Sequence, residues 1–401
     1  MASEISPQES ITLIKANLAE VLNPEIIDDV ILTQKRPLKV YWGTATTGKP
    51  HCGYFVPIIK IAELLAAGCH IKILLADVHG FLDDTSKAGW ERVQLRAKYY
   101  EYAIKGLLKS VGVDLSRLEF VTGSSYQYSK EYTHDRFLLE HQTRIATAQK
   151  AGAEVVKNDG NPTISGLVYP LMQALDEQYL DVDAQFGGVD QRKIFTFALE
   201  NLPKLGYKVR AHLMNTMVPG LGEAAKMSAS DPDSKIDLLE APDKVKTKLK
   251  KAKCVPKEVE GNGVIAFVEH VILRALALKK DHDGKFTVER NDQEPLIYES
   301  AEKLKGDYAA DILTPQLLKA ALTTHLNAIL APIRAEYDAS PEWQSVCESA
   351  YPTVVVEKVK KVKDKGDPAK RAAAALARQA QGKTAVPVEE GVEKLAINDA
   401  P

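Results

Sequence analysis

Short apolar runs alternate with amphipathic stretches along the first part of the chain. The runs at 39–42, 71–77 and 118–122 predict strands, and the apolar spacing at 51–67 and 93–111 predicts helices between them. Strands that alternate with helices form a parallel sheet covered by helices on both faces. The pattern therefore predicts a doubly wound α/β fold.

Helical spacing dominates the later part of the chain, and the last residues are rich in alanine and lysine, then in acidic residues. Such a composition is typical of segments without a fixed fold. Single hydrophobic cores stop growing near about 250–300 residues, so more than one domain is expected. We predict four parts: an N-terminal helical segment at 1–34, an α/β domain at 35–235 with a helical insertion near 120–160, a mainly helical domain at 236–364, and a largely disordered tail at 365–401.

Composition excludes several classes of protein. Apolar residues make up 45% of the chain and charged residues 26%, and no apolar run approaches the roughly 20 residues that a membrane-spanning helix needs. The four cysteines form no CxxC pair, so the sequence predicts neither a zinc site nor a disulfide framework. The first residues show neither the basic nor the apolar region of a secretion signal, so we expect a cytoplasmic protein without a membrane partner. The basic stretch at 358–371 also matches a nuclear-localisation signal, which predicts a minor nuclear pool.

The loop after the first strand is the strongest candidate for a phosphate site. It runs Gly43-Thr-Ala-Thr-Thr-Gly-Lys-Pro-His-Cys-Gly-Tyr and leads into a helix, where backbone N–H groups and the helix dipole can hold an anion. A P-loop is disfavoured because Pro50 stands where that motif needs Ser or Thr. The alternative pairs His51, which can donate to a phosphate, with Gly53, which lets a nucleotide approach the helix. Alone, these two residues would also suit an ordinary helix start.

A second motif changes the balance between these interpretations. Lys226-Met-Ser-Ala-Ser follows a segment rich in glycine and small residues, and its lysine beside two hydroxyls suits a transient grip on a triphosphate. By itself, Lys-Met-Ser is common in solvated loops. Together, the two segments resemble the HIGH and KMSKS signatures of the class I aminoacyl-tRNA synthetases. Tyr54 replaces the second histidine of HIGH, and Ala229 replaces the second lysine of KMSKS.

A polar stripe on a predicted helix at 166–181 indicates a second ligand. Tyr169, Gln173 and Asp176 are spaced by four and three, so they share one helix face. Such a stripe is often only a solvated face, but apolar residues frame this helix. Tyr41 also ends the first strand, where open α/β sheets bind ligands. A tyrosine hydroxyl and a carboxylate can hydrogen-bond a phenol, and Tyr169 with Gln173 can hold an α-ammonium group.

These residues, with Gln185-Phe-Gly-Gly-Val-Asp-Gln191, resemble the tyrosine-specific members of that family, in their eukaryotic cytoplasmic and archaeal branch. The resemblance implies a Rossmann-like catalytic domain and ATP-dependent attachment of L-tyrosine to tRNA(Tyr) in two steps, through tyrosyl-adenylate. It implies three residue sets: a tyrosine site of Tyr41, Tyr169, Gln173, Asp176 and Gln191; an ATP site of Gly43, Thr44, His51, Gly53, Asp190, Lys226, Met227 and Ser228, with Asp190 near the ribose; and a catalytic set of His51, Lys226, Ser228 and Ser230. Magnesium would arrive with ATP, and neither a protein-held metal nor a prosthetic group is implied.

Positive charge is concentrated in the later part of the chain. Residues 243–257 hold seven lysines, and residues 351–383 hold nine basic residues against three acidic ones. Such runs are usually solvated helix faces, but beside a synthetase-like domain they favour contacts with tRNA phosphates. The resemblance further implies that the helical domain binds the anticodon arm and that the insertion near 120–160 forms a C2 homodimer. Trp343 and Phe286 are candidates for base contacts and equally for core packing.

Three other functions are weighed against this one. A tryptophan-specific synthetase shares the fold class, but Tyr41 with Asp176 favours a phenol over an indole. A P-loop nucleotide switch is disfavoured by Pro50. A non-catalytic tRNA-binding protein descended from a synthetase is disfavoured by His51 and Lys226.

Overall fold

The computed structural model describes residues 5–83, 89–156, 161–221, 235–278 and 283–352. All of them belong to one compact unit, Met1–Pro352, and a second unit, Thr353–Pro401, lies outside the described residues. The predicted tail and the KMSKS-like segment are therefore still predictions from sequence.

The described residues form helices and strands in alternating order over the first half of the chain. The helices are α1 (Pro7–Lys15), α2 (Pro24–Asp28), α3 (Phe55–Ala66), α4 (Asp77–Leu82), α5 (Trp90–Ser110), α6 (Ser124–Gln127), α7 (Lys130–Gln142), α8 (Ile145–Gly152), α9 (Ile164–Tyr179), α10 (Arg192–Asn201), α11 (Pro242–Lys251), α12 (Gly263–Phe267), α13 (Arg274–Leu278), α14 (Ala301–Ala309), α15 (Pro315–Asp338) and α16 (Pro341–Ala350). The strands are β1 (Glu20–Leu22), β2 (Lys39–Ala45), β3 (His70–Ala76), β4 (Leu118–Thr122), β5 (Ala184–Gly188), β6 (Ala211–Asn215), β7 (Phe286–Arg290) and β8 (Gln293–Tyr298). A 3-10 turn at Cys52–Tyr54 precedes α3, and two π-helical segments, Asp29–Thr33 and Val268–Leu273, continue α2 and α12.

Strands β1 to β6 form one sheet in the order β1-β6-β5-β2-β3-β4. Neighbouring strands are parallel, except that the edge strand β1 is antiparallel to β6. The chain moves from β2 to β3 on one side and later returns to place β5 on the other side of β2. A crevice opens at such a reversal, at the carboxyl ends of the strands. The predicted doubly wound α/β fold is confirmed.

Helix α3 is buried on almost every side, which fixes the loop that enters it. Even Lys60 is fully buried, and its Nζ donates to the carbonyls of Leu13 and Ala16 at the end of α1. The Glu63 carboxylate lies beside it, with Oε2 at 3.2 Å from Lys60 Nζ. Its other oxygen, Oε1, accepts two hydrogen bonds from Arg274 of α13. A buried cation is tolerated only when it is paired and hydrogen-bonded in this way. Helix α3 is thus tied both to the N-terminal segment and to the later helices.

The predicted N-terminal helical segment at 1–34 is only partly helical. Helix α1 begins after Ser6, which forms a capping box with Glu9. Asn17 and Asn23 then adopt positive φ angles of 57° and 51°, which end the helical path. Strand β1 lies between them and pairs with β6. The apolar spacing that suggested helix is therefore divided among α1, an edge strand and α2.

The later part of the unit is mainly helical, as predicted, with the hairpin β7–β8 as its sheet. Trp343 and Phe286 expose 1% and 0% of their surface, so both pack in the core and neither is placed to stack on a base. The insertion is helical as well, as α6, α7 and α8. Among the helices of the described residues, none combines the length and the apolar character needed to cross a bilayer.

Candidate functional site

A cavity of about 460 Å³ opens at the carboxyl ends of β2 and β5, a volume that suits a small ligand. Every described residue that the sequence assigned to the two ligand sites lines it: Tyr41, Gly43, Thr44, His51, Gly53, Tyr169, Gln173, Asp176, Asp190 and Gln191. Lys226, Met227, Ser228 and Ser230 lie outside the described residues. Within the described residues, no cluster of three or more His, Cys, Asp or Glu side chains could hold a metal ion.

Helix α9 supplies the floor of this cavity. Its first turn is capped by Thr163, whose hydroxyl accepts from the Gly166 N–H at 3.1 Å. Tyr169, Gln173 and Asp176 all line the cavity, as their spacing predicts, and Asp176 is fully buried. The floor is therefore the polar stripe of an otherwise apolar helix.

Three hydrogen bonds from the helical insertion fix the Asp176 carboxylate. Its Oδ1 accepts from Tyr126 Oη at 2.8 Å, from Gln127 Nε2 at 2.8 Å and from Tyr132 Oη at 3.1 Å. The Tyr132 hydroxyl shares its proton with the Met172 carbonyl, which lies 3.0 Å away. Its Oδ2 has no hydrogen-bond partner among the described residues. Because buried polar atoms normally have partners, this oxygen is suited to a ligand that donates a hydrogen bond.

Sequence reasoning missed Tyr126, Gln127 and Tyr132. They lie 44 to 50 residues before Asp176 in the sequence, and only the packing of the insertion on α9 brings them to it. The available signal was the number of tyrosines in the insertion, since a buried tyrosine usually finds a partner for its hydroxyl. That signal gives no indication of which acceptor is used.

The Asp176 carboxyl group titrates near neutral pH. Burial raises its pKa to about 7, although the hydrogen bonds from Gln127, Tyr126 and Tyr132 act in the opposite direction. His79 lies beside it, with Nε2 at 3.9 Å from Oδ2, but burial lowers the pKa of His79 to about 4. His79 is therefore neutral at pH 7 and contributes no positive charge to the floor.

Polar side chains connect the floor with the rim of the cavity. Tyr41 is almost fully buried and donates from its hydroxyl to the Gln173 carbonyl at 3.2 Å. The Gln173 amide donates to Gln191 Oε1 at 3.0 Å, and Gln191 Nε2 donates to Asp190 Oδ1 at 3.3 Å. A Cβ at Gly187 would lie 2.9 Å from Phe195 Cζ and 3.0 Å from Gln191 Cγ, so a side chain at this position would displace Phe195 or Gln191. Both amides can exchange these bonds for the ammonium and carboxylate of an amino acid.

The turn before α3 forms the other side of the cavity. His51 is the N-cap of the turn Cys52–Tyr54, and its Nδ1 accepts from the Gly53 N–H at 3.2 Å. Burial and the charge of Lys235 lower the pKa of His51 to about 4, against the opposing effect of Asp237. The ring is therefore neutral at pH 7, and its proton resides on Nε2 because Nδ1 accepts a hydrogen bond. In this tautomer Nε2 can donate to a phosphate oxygen.

Residues 235–237, which follow the KMSKS-like segment, pack against the HIGH-like segment at 51–54. The Cys52 N–H donates to the Ile236 carbonyl at 2.9 Å, and His51 pairs with Asp237 in an isolated antiparallel bridge. Lys49 Nζ lies 3.1 Å from the Asp237 carboxylate. Residues 235–237 begin five positions after Ser230, so the chain just beyond the KMSKS-like segment is held against His51 and Cys52.

The chain is similar to known proteins over most of its length. Residues 33–331 match the model of the family described as tRNA synthetases class I (W and Y). The chain is 53% identical to the cytoplasmic tyrosine–tRNA ligase of Saccharomyces cerevisiae, over 90% of this chain and 92% of the relative. It is 51% identical to the corresponding ligase of Danio rerio over 88% of this chain, and it spans 65% of that relative's length. The structure of tyrosyl-tRNA synthetase from Archaeoglobus fulgidus, complexed with L-tyrosine, matches with a TM-score of 0.74 and 34% identity, over 82% of this chain and 99% of the other.

Proposed function

Because this chain belongs to the class I tRNA synthetases of tryptophan and tyrosine, we propose that its cavity is an active site with a floor for tyrosine and a rim for ATP. The reaction is the ATP-dependent attachment of tyrosine to tRNA, in which tyrosine is first activated as an adenylate and then transferred. The observation that carries the assignment of the floor is the buried Asp176 carboxylate: one oxygen is fixed by three donors, and the other has no partner in the part of the chain that the structure describes.

The floor is proposed to bind the phenol of tyrosine. A phenol hydroxyl on Asp176 Oδ2 would satisfy the unpartnered oxygen, and Tyr41 could turn its hydroxyl from the Gln173 carbonyl to the same phenol. Tyr169, Gln173 and Gln191 would hold the ammonium group at the other end. Phenylalanine would leave the buried groups unpaired against an apolar ring, which costs more than the loss of one hydrogen bond. This is the basis on which the site would reject it.

Tyr132→Phe is expected to weaken tyrosine binding by about 3- to 10-fold, because it removes one of the three donors that hold Asp176. The measurement is the dissociation constant for tyrosine by titration calorimetry. Tyr179→Phe is the matched control, since its ring lies 4.8 Å from that of Tyr132 but its hydroxyl donates to Asp135. Equal effects of the two substitutions would argue against a specific role of the Tyr132 hydroxyl.

Tyrosine binding is expected to strengthen as the pH rises from about 6 to 8. The pKa of Asp176 is raised to about 7, so the neutral acid predominates at the lower end and the carboxylate at the upper end. A phenol donates more strongly to a carboxylate, so binding favours the ionised form and the dissociation constant falls with rising pH. The check is the same titration at three pH values and constant ionic strength. Asp176→Asn should give a flat profile, and a slope that persisted in it would belong to another group.

The rim is proposed to bind ATP. His51 would donate from Nε2 to the α-phosphate while the tyrosine carboxylate attacks it, and Lys226, Ser228 and Ser230 would stabilise the departing pyrophosphate. Asp190 would lie near the ribose. Magnesium would enter as part of the MgATP substrate. No protein nucleophile takes part, so the rate would come from positioning and from charge stabilisation on the phosphates.

The lysine-rich helix α11 is proposed to contact tRNA phosphates. Val245 and Leu249 of this helix are buried, whereas most of its lysines are exposed. An exposed cationic face of this kind binds a polyanion without reading its sequence. Recognition of the anticodon arm by the helical part is part of the same proposal.

A C2 homodimer is proposed, with the helical insertion at its interface. Large exposed apolar side chains are concentrated in and beside the insertion, at Tyr128, Phe137, Leu138, Ile145 and Ile164. A concentration of exposed apolar side chains supports an interaction site in this part of the fold.

Leu138→Asp is expected to convert a dimer into a monomer, because a charge buried in an apolar interface is strongly unfavourable. The measurement is the mass by size-exclusion chromatography with light scattering. Leu138 is 44% exposed, and Ile297→Asp is the matched control because Ile297 is 42% exposed on β8, outside the insertion. A wild-type monomer, or dissociation by both variants, would contradict the proposed interface.

The proposed location is the cytoplasm, as for the relatives whose names state it, with a minor nuclear pool directed by the basic stretch at 358–371. Imaging of a fluorescent fusion, with and without alanines at the lysines of that stretch, tests the nuclear part. An unchanged nuclear signal in the alanine variant would contradict the proposal that this stretch directs a nuclear pool.

The experiment that tests the proposed function is ATP–pyrophosphate exchange with tyrosine, tryptophan and phenylalanine in parallel. Exchange that depends on tyrosine alone is expected. Exchange with tryptophan would assign the pocket to an indole, and no exchange with any of the three would favour a non-catalytic tRNA-binding protein.

A further inference from the structure

The carbonyl of Gly48, three residues before His51, is held by hydroxyls from two distant parts of the chain. It accepts from Tyr100 Oη of α5 at 2.5 Å and from Tyr351 Oη at 3.3 Å. Tyr351 directly follows α16, about 300 residues after Gly48 in the sequence. The end of the helical part therefore reaches the turn that carries His51.

The hydroxyl of Tyr100 is itself part of a directed relay. Tyr54 Oη donates to Tyr100 Oη at 3.2 Å, so the 3.2 Å contact between Tyr54 and Thr44 requires Thr44 as the donor. The relay thus runs from Thr44 through Tyr54 and Tyr100 to the Gly48 carbonyl. Tyr54 is the residue that departs from the HIGH signature, and its hydroxyl contributes a bond in this relay.

The position of the Gly48 carbonyl is transmitted to His51 by a stiff piece of chain. The C=O and N–H of a trans peptide point in opposite directions, so holding this carbonyl also orients the Lys49 N–H. Pro50 has a fixed φ, and it restricts the backbone of Lys49 before it. Only these two residues separate the held peptide from His51. Pro50, which disfavours a P-loop, here serves as the rigid link.

The ring of Tyr351 is fixed independently of its hydroxyl. It packs edge-on against Tyr99 with ring centroids 5.2 Å apart, and the Arg96 guanidinium lies 5.6 Å from its centroid. Both partners belong to α5, as does Tyr100. A substitution that removes only the hydroxyl therefore leaves the ring in place.

We propose that Tyr351 is a positioning residue for the ATP phosphates: its hydroxyl, with that of Tyr100, fixes the Gly48 carbonyl and so orients the turn that presents His51. The residue acts through the backbone and does not touch the nucleotide. This inference rests on the proposed binding of ATP at the rim. It makes ATP activation depend on the last described residues of the helical part.

The test is tyrosine-dependent pyrophosphate exchange by the full-length chain carrying Tyr351→Phe. We expect the KM for ATP to rise about 3- to 10-fold, as for the loss of one hydrogen bond, while the KM for tyrosine and the melting temperature stay at the wild-type values. Tyr100→Phe should act in the same direction, and the double variant should exceed either one. Tyr102→Phe is the matched control, because its ring stacks on Trp343 in the same aromatic cluster at 5.5 Å while its hydroxyl bonds Glu342.

An unchanged KM for ATP in Tyr351→Phe, or an equal rise in the KM values for ATP and tyrosine, would overturn this inference alone. An equal effect of Tyr102→Phe would do the same, since it would indicate a general role of the cluster. Absence of tyrosine-dependent exchange in the wild-type protein would instead overturn the proposed function and the inference with it.

Discussion

Asp176→Ala is expected to weaken tyrosine binding by about 10- to 100-fold and to leave the KM for ATP within about twofold of the wild-type value. The substitution removes the acceptor for the phenol and also the acceptor for Tyr126 and Gln127, whereas Tyr132 keeps its bond to the Met172 carbonyl. The loss therefore includes the cost of unpaired groups in the floor. The measurements are tyrosine titration calorimetry and the ATP dependence of pyrophosphate exchange at saturating tyrosine.

The control for this variant is Asp135→Asn. Asp135 accepts from Tyr179 and Tyr207 in the same part of the fold, but it does not line the cavity. Wild-type tyrosine affinity is expected for it. Equal losses of tyrosine and ATP binding in Asp176→Ala would place the carboxylate outside the phenol pocket and indicate a general collapse of the site.

His51→Ala and Lys226→Ala are each expected to reduce adenylate formation by about 100- to 1,000-fold, as for the loss of one donor to a developing charge. Tyrosine binding should survive, because neither side chain belongs to the proposed floor. The measurements are pyrophosphate exchange for activation and calorimetry for tyrosine. His70→Ala, a substitution of an exposed histidine at the start of β3, is the control. An exchange rate equal to that of the wild type in either active-site variant would remove its assigned role.

The sequence was sufficient to predict the parts of the site that depend on local order. The spacing of Tyr169, Gln173 and Asp176 follows from helical periodicity. The prediction that Tyr41 ends the first strand is wrong, because β2 continues to Ala45, but Tyr41 still lines the cavity from within the strand. The parallel sheet follows from strand–helix alternation. For this reason the described residues assigned to the tyrosine and ATP sites line one cavity.

The parts that escaped prediction depend on tertiary packing or on unusual backbone. The donors to Asp176 lie on α6 and α7, and no spacing rule joins them to a residue of α9. Asn17 and Asn23 interrupt the N-terminal segment through positive φ angles that apolar periodicity does not register. From the sequence, Tyr54 indicated only that the second histidine of the HIGH signature is replaced. Its hydrogen bond to Tyr100 could not be predicted, because that bond depends on how α5 packs beside the turn.

The account is tested most directly by a crystal structure of the full-length chain with L-tyrosine and a non-hydrolysable ATP analogue. We predict the phenol oxygen within about 3.2 Å of Asp176 Oδ2, and an α-phosphate oxygen within the same distance of His51 Nε2. A phenol directed away from Asp176, or a triphosphate bound outside the turn at His51, would contradict it.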